Sequence, residues 1–385
     1  MGDKGGTGHE MTKREFLRFC GAGVCLVPAA CLLGLPKTAL AQQARKGLIK
    51  TKQAAHFTQL EGGEIRCELC PRRCRVPKGG RGYCRVRENR DGKYYSLVYG
   101  NPCAAHLDPI EKKPFFHVLP GTSSFSLATA GCNFQCKFCQ NWEISQASPE
   151  DLYNYDFPPE LVVKKAKEMR ARSVAYTYVE PVIFFEYMLD AGRLVKEAGL
   201  LNVCHSNGFI NPAPLRDLCR VLSAANIDLK GFSDSFYRKL CGGELNPVLE
   251  TLKTFKKEKV HLEITNLVIP TENDQAETLK AMCLWVKKEL GADTPLHFSR
   301  FYPLYKLQSL PPTPVSTLER ARSIARAAGL EYVYIGNVPG HEGENTFCPN
   351  CAKRIIQRTG YMVGEVHLNN GKCGYCGKPI PGIWG

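Results

Sequence analysis

The 385 residues contain no long low-complexity tract and no repeat at solenoid spacing, which excludes a disordered linker protein and a stacked-repeat architecture. Charge is not in excess either. Charged residues make up 23% and hydrophobic residues 44%, ordinary globular values that leave ample apolar material for a substantial core. No basic helix with interleaved aromatics occurs, so a nucleic-acid-binding reading lacks a recognition element. Against these absences stand 19 cysteines and a formal net charge of +14. In a small secreted scaffold so many cysteines would mean disulfides, but here most fall at Cys-x2-Cys or Cys-x3-Cys spacing, which suits metal ligation. The formal charge counts every thiol as neutral. Two four-cysteine sites each holding a dication, and a three-cysteine site holding an iron-sulfur core, would lower it by roughly five units. Only the remaining basic excess asks for an acidic partner.

Four stretches follow along the chain. Residues 1–41 read as a targeting signal: Thr12-Lys13-Arg14-Glu15-Phe16-Leu17-Arg18 precedes an apolar run from Phe19 to Leu35 and then Ala39-Leu40-Ala41. This resembles a Tat signal, with Lys13 where that pattern has its first arginine. The run is broken by glycines and prolines and is short for a membrane span. Residues 42–121 form a basic, cysteine-rich module. From 122 to 340 short apolar runs alternate with amphipathic stretches, which predicts strands at Ser123–Ala128, Ser173–Tyr178, Leu201–His205, Ala225–Leu229, His261–Val268, Leu296–Phe301 and Tyr332–Ile335, with helices between them. Such β/α alternation implies an α/β fold with a parallel sheet closed into a partial TIM-type barrel, and an active site at the C-terminal ends of the strands. Residues 341–385 form a second small cysteine-rich module.

Directly after the first of these strands comes Gly131-Cys132-Asn133-Phe134-Gln135-Cys136-Lys137-Phe138-Cys139-Gln140-Asn141-Trp142. Thiolates of Cys132, Cys136 and Cys139 at x3 and x2 spacing can wrap three corners of a 4Fe-4S cubane and leave the fourth iron open. An open coordination position separates a catalytic metal site from a closed structural one. A ferredoxin-like or zinc site is the competing reading of three close cysteines, and the placement after a strand argues against it.

Cys-x3-Cys-x2-Cys with Phe138 before the last cysteine is similar to the signature of the radical S-adenosylmethionine (SAM) superfamily. The same loop, Asp108-Pro109-Ile110-Glu111-Lys112-Lys113-Pro114, the carboxy-terminal cysteines and Pro381-Gly382-Ile383-Trp384-Gly385 together resemble the AmmeMemoRadiSam system radical SAM enzymes, relatives of the pyruvate formate-lyase activating enzymes. The resemblance runs from about Ile65 to Gly385. It implies that SAM chelates the open iron and that one electron splits it to methionine and a 5′-deoxyadenosyl radical, which abstracts hydrogen from a substrate. A low-potential electron donor and partner proteins of that system would then be required, and no nucleic acid. It further implies that Glu180, in the place of the activating enzymes' Gly-Gly-Glu carboxylate, receives SAM's ammonium, although the two glycines are absent here. Asp228-Leu229-Lys230 resembles the Asp-Leu-Lys stretch whose charged pair helps hold SAM. Ser206 and Asn207 follow a predicted strand and are candidates for the ribose hydroxyls, though Ser-Asn-Gly is also a plain turn. Asp228 and Lys230, two apart on a strand, face the same side.

Cys348, Cys351, Cys373 and Cys376 form two Cys-x2-Cys knuckles at the spacing of a four-thiolate zinc ribbon. Cys67, Cys70, Cys74 and Cys84 form a less regular set, which zinc or a second iron-sulfur cluster would fit equally. The neighbouring arginines, Arg72 among them, are expected on a solvated face, and Cys103, Cys204, Cys219, Cys241 and Cys283 are expected in ordinary burial. The rival functions are a glycyl-radical-enzyme activating protein, a zinc-ribbon nucleic-acid-binding protein and a non-catalytic electron carrier. The signal segment favours a periplasmic or membrane-attached protein, whereas the need for SAM and a strong reductant favours the cytoplasm.

Overall fold

The computed structural model describes residues 44–385, so the Tat-like segment at 1–41 lies outside the described residues. At the centre is one eight-stranded sheet: β1 (Ala104–Pro109), β2 (Ser123–Ala128), β3 (Ser173–Tyr176), β4 (Leu201–Ser206), β5 (Ala224–Asp228), β6 (His261–Val268), β7 (Leu296–Arg300) and β8 (Val333–Gly336). The strands lie in the order β8-β7-β6-β5-β4-β3-β2-β1. Strands β2 to β8 are parallel throughout, and β1 runs antiparallel to β2 from Ala104↔Ala128 to Pro109↔Ser123. Buried on both faces, β2 and β3 read as nearly continuous buried runs, as parallel strands between two layers must. The sheet is the partial TIM-type barrel of the sequence reading. Its outer edge at β2 is covered by β1, an element that ends in Pro109 and was not anticipated.

Helices α1 (Pro159–Glu168), α2 (Phe185–Glu197), α3 (Pro212–Cys219), α4 (Leu245–Lys257), α5 (Ala276–Leu290) and α6 (Val315–Ala327) fill the crossovers. Local chemistry sets their ends and faces. Proline occupies the first position of α1, where its fixed φ and missing N–H cost nothing, and Lys165 and Lys167 sit in the last turn against the carboxyl end of the helix dipole. In α4, Val248, Thr251, Leu252 and Phe255 make the buried i, i+3, i+4, i+7 stripe that holds the helix on the sheet. No helix among the described residues is long and apolar enough to cross a membrane.

The floor of the barrel is a plug. Ile110, Phe115, Val118 and Leu119 pack against Ala175, Val203 and Ala224 from three adjacent strands. The carboxy-terminal residues latch it from outside, through Leu119 N to Ile383 O and Ile383 N to His117 O, both 2.7 Å. Residues 346–347, 354–359 and 362–366 form a three-stranded antiparallel sheet whose Ile355 and Ile356 share a small core with Phe116 and Tyr334. Amino-terminal to β1, six short strands between 52 and 96 make two three-stranded antiparallel sheets. Their Ile65, Val76 and Tyr94 belong to the same continuous core as the barrel. Buried Arg87 ties them to α2 by a bidentate pair with Glu186, both bonds 2.8 Å.

Candidate active site

The three-cysteine loop leaves β2 through Gly131, which has φ +91°; a Cβ there would stand 2.5 Å from the carbonyl oxygen of Cys84, so glycine alone fits. The loop is then docked by its backbone. Gln135 N donates to Cys241 O at 3.0 Å and Lys137 N to Leu240 O at 2.8 Å, both acceptors lying in the π-helical turn Tyr237–Cys241. Gly243 lets that turn approach, since a side chain there would collide with the Phe134 ring. Arg72 is not on a solvated face: its Nε donates to Asn133 O at 2.6 Å and its terminal nitrogen to Gly242 O, fastening loop and turn together. Cys132 Sγ accepts from Phe134 N at 3.3 Å, and Cys139 Sγ lies 3.3 Å from Ser145 Oγ. Burial raises the Cys132 and Cys139 thiols. Cys136 goes the other way: the neighbouring Cys241 thiol lowers it, and Lys230 adds to this against burial.

A cavity of about 450 Å³ opens at the C-terminal ends of the strands, a size suited to one small-molecule site. The three thiols, Phe138, Glu180, Ser206, Asn207, Asp228 and Lys230 all line it, so the structure brings together every catalytic and cofactor residue singled out in the sequence. Glu180, buried just past β3, receives Ser206 Oγ on Oε1 at 2.7 Å, Val182 N on Oε1 at 3.1 Å and Asn207 N on Oε2 at 2.7 Å. It therefore both caps the turn Pro181–Phe184 and faces the cavity. Burial raises its carboxyl, with these three donors opposing. Ser206 and Asn207 are thus committed first to Glu180, and the Asn207 amide also bonds Asn133 Oδ1 at 2.8 Å.

Asp228, at the end of β5, takes Lys230 Nζ on Oδ2 at 2.7 Å and His205 Nε2 on Oδ1 at 2.9 Å. Burial opposes its ionisation, but Lys230 and His205 outweigh it and hold the carboxyl well below its usual range. Lys230 is held charged in turn: burial works against it, and Asp228, Cys136 and Cys241 overcome that. His205 and Cys241 are the neighbours that sequence reasoning missed. Lys113 lines the cavity, buried beside Asp108 at 2.5 Å, and burial lowers its ammonium to about 8 despite that pair. Arg300 meets neither a carboxylate nor the cavity; its Nε donates to Thr313 O at 2.8 Å.

Thiol spacing tests which metal groups fit. Cys348, Cys351, Cys373 and Cys376 have ligand atoms all within 4.8 Å of one another, with Sγ separations of 3.6 Å (Cys348–Cys376) and 3.8 Å (Cys351–Cys373). Such a group could hold one metal ion. Among the described residues no other cysteine set forms such a close group; Cys132, Cys136 and Cys139 instead line the cavity, where three thiolates could hold three corners of a cluster.

A barrel with a three-thiol loop after its first parallel strand and a polar cavity over its strand ends is a radical SAM architecture, and the radical SAM superfamily model matches residues 126–282. The chain belongs to the radical SAM superfamily and is a radical SAM enzyme. It is 46% identical over 331 residues to the uncharacterized protein MJ0808 of Methanocaldococcus jannaschii, an alignment covering 86% of this chain and 98% of that one. Among solved structures it is similar to a domain of pyruvate-formate lyase-activating enzyme from Bacteroides vulgatus (14% identity, 43% of this chain and 99% of that one, TM-score 0.39). It is also similar to Streptococcus suis SuiB bound to S-adenosylmethionine (11% identity, 59% and 53%, TM-score 0.43). Neither structural likeness adds weight to the assignment.

Proposed function

We propose that this chain binds SAM in the cavity above β3, β4 and β5 and cleaves it reductively to a 5′-deoxyadenosyl radical that takes hydrogen from a substrate. The observation that carries the reading is the convergence of Cys132, Cys136, Cys139, Glu180, Asp228 and Lys230 on one cavity. The three thiols hold the 4Fe-4S cluster that the superfamily implies, which supplies one electron and an open iron for SAM's amino and carboxylate groups. Glu180 keeps spare acceptor capacity on Oε2, which has one donor, and so receives the SAM ammonium. Lys230, fixed by Asp228, presents a cation beside the cluster loop and draws SAM's carboxylate toward it. Ser206 orients Glu180 and, with Asn207, meets the ribose edge. Phe138 packs on Phe236 and keeps water from the cluster side.

The resemblance to the AmmeMemoRadiSam enzymes supports a place in that system, with a low-potential reductant and the system's other proteins as partners. The carboxy-terminal thiols suit zinc, whose tetrahedron of Zn–S bonds sets sulfurs about 3.8 Å apart. The amino-terminal segment supports export or membrane attachment by a Tat-like route. The test of the central reading is anaerobic incubation of reconstituted, dithionite-reduced protein with SAM and chromatography of 5′-deoxyadenosine. Product is expected from the parent and only background from Cys136→Ala. No product from a parent with an intact, reducible cluster would replace the reading with a non-catalytic electron carrier.

A further inference from the structure

Cys67, Cys70, Cys74 and Cys84 take no part in that chemistry, yet all four line one narrow cavity with Arg87 and Tyr94. Two tight connections bring them together. Cys67 ends a strand and its N–H bonds Cys74 O at 2.9 Å, while Arg73 N to Cys70 O and Arg85 N to Gly82 O close the turns around the other two. Ordinary burial of small apolar thiols does not explain the cavity. Arg87 is 1% exposed and Tyr94 0%, and Arg87 Nε and the Tyr94 hydroxyl are both without a hydrogen-bond partner. A buried donor left unpaired costs about 1–3 kcal/mol. Two such donors at one cavity, both beside sulfur, mark the place of an acceptor group that the protein does not itself provide.

The thiol spacing says what kind of group. A single tetrahedral ion would draw four sulfurs to the separations of 3.6 and 3.8 Å seen at the carboxy-terminal knuckles. The amino-terminal four form no such close group; they line a cavity instead. A cluster with one thiolate on each iron calls for thiols set around a space rather than closed on a point, and its sulfurs would accept the two orphaned donors. Position agrees. The Cys84 carbonyl abuts Gly131, next to Cys132, and Asn133 of the catalytic loop lines the cavity wall. Arg72 spans the junction, bonded to Asn133 O and stacked 3.6 Å over the Tyr83 ring.

We propose that Cys67, Cys70, Cys74 and Cys84 bind a second iron-sulfur cluster rather than zinc, with Arg87 Nε–H and the Tyr94 hydroxyl donating to its sulfur. The site lies against the catalytic loop, where an electron carrier has a use and an inert ion has none. The inference does not depend on SAM cleavage. Its test is a full-length Cys132→Ser, Cys136→Ser, Cys139→Ser triple variant, isolated and reconstituted anaerobically, with iron, sulfide and zinc counted per chain and the reduced state examined by electron paramagnetic resonance. Expected are roughly four irons with matching sulfide and a cluster signal that SAM does not alter. Zinc at two sites per chain and no iron would overturn the proposal, as would iron at background with zinc at the carboxy-terminal site alone. Should the triple variant fail to fold, a Cys67→Ser, Cys70→Ser double variant is measured instead. It should lose about half the parent's iron and keep the SAM-responsive signal; unchanged iron would overturn the proposal. Failure of the catalytic reading would show separately, as parent protein whose signals all ignore SAM.

Discussion

The mouth and the floor of the barrel both bury ionised side chains, and they differ in what completes them. At the floor, Glu263 lies on β6 two residues before Thr265, the register partner of Asp228. Its carboxylate accepts His117 N at 2.8 Å, Phe116 N at 3.1 Å and His297 Nε2 at 2.6 Å. Burial opposes its charge, but His261 and His297 outweigh that and hold it well below the carboxylate range. A relay continues outward: Arg358 donates to Thr346 Oγ1 at 2.8 Å, Thr346 lies 3.0 Å from the Tyr334 hydroxyl, and that hydroxyl lies 2.6 Å from His117 Nε2. His117 Nδ1 then donates to Pro381 O at 2.6 Å. The partners of the Glu263 carboxylate all come from the chain, so its charge is compensated on folding. At the mouth, Glu180, Asp228 and Lys230 each have protein partners and still face the cavity. Floor residues should therefore govern stability and mouth residues activity.

The largest break in that contrast is Glu263→Ala. It strands two backbone N–H groups and an imidazole around a fully buried position, and should cost about 3–5 kcal/mol, the scale for breaking a buried charged network. Denaturant unfolding would read it, and a loss below about 1 kcal/mol would show that the floor carries no such role. Acid comes next. Burial lowers the His117 imidazole to about 3 from an ordinary 6.5, so between those values the unfolded chain binds more protons and stability falls as pH falls. From pH 6.5 to 5 the loss from this one group is about 1.6 kcal/mol, the slope rising toward about 1.4 kcal/mol per pH unit as the unfolded imidazole becomes fully protonated. Glu263 adds its own acid lability only below the ordinary carboxylate range near 4.5, because its folded value is depressed. A His117→Phe variant should be less stable at pH 7 but show a shallower slope between pH 6.5 and 5; an unchanged slope would assign the acid sensitivity elsewhere.

How much of each end was legible in the sequence follows from the range of the interactions. Strands β2 and β6 matched their predicted limits because apolar runs and flanking polar residues are local signals. The predicted strand ending at Tyr178 stops at Tyr176, since Tyr178 turns the chain with φ +66°. Glu180 and Lys230 were readable as polar residues just past strand ends, and Asp228 as a charged residue at the end of its strand. His205 was not, because it sits inside its strand and its partner Asp228 is on the next one, met only through the parallel register. Cys241 looked like ordinary burial because its neighbour Cys136 is reached only when the π-helical turn docks on the loop. The floor was illegible for the same reason: Glu263, His117 and Arg358 come from three distant segments and none carries a spacing pattern.

The sharpest test of the contrast is the smallest change in stability. Asp228→Asn keeps the side-chain shape and one acceptor oxygen, and the site is 23% exposed, so water can share the repair. Losing half of an ion pair there should cost about 1 kcal/mol. The consequence for the cavity is larger. Without the carboxylate, Lys230 is drawn by Cys136 and Cys241, the other groups that favour its charge, and leaves the position from which it would meet SAM's carboxylate. SAM affinity should fall roughly tenfold, the worth of one charge-assisted contact, and 5′-deoxyadenosine formation with it. Equilibrium binding of SAM beside denaturant unfolding separates the two quantities. If Asp228→Asn instead unfolded like Glu263→Ala while binding SAM normally, the mouth would be structural after all, and the division between the two ends of the barrel would fail.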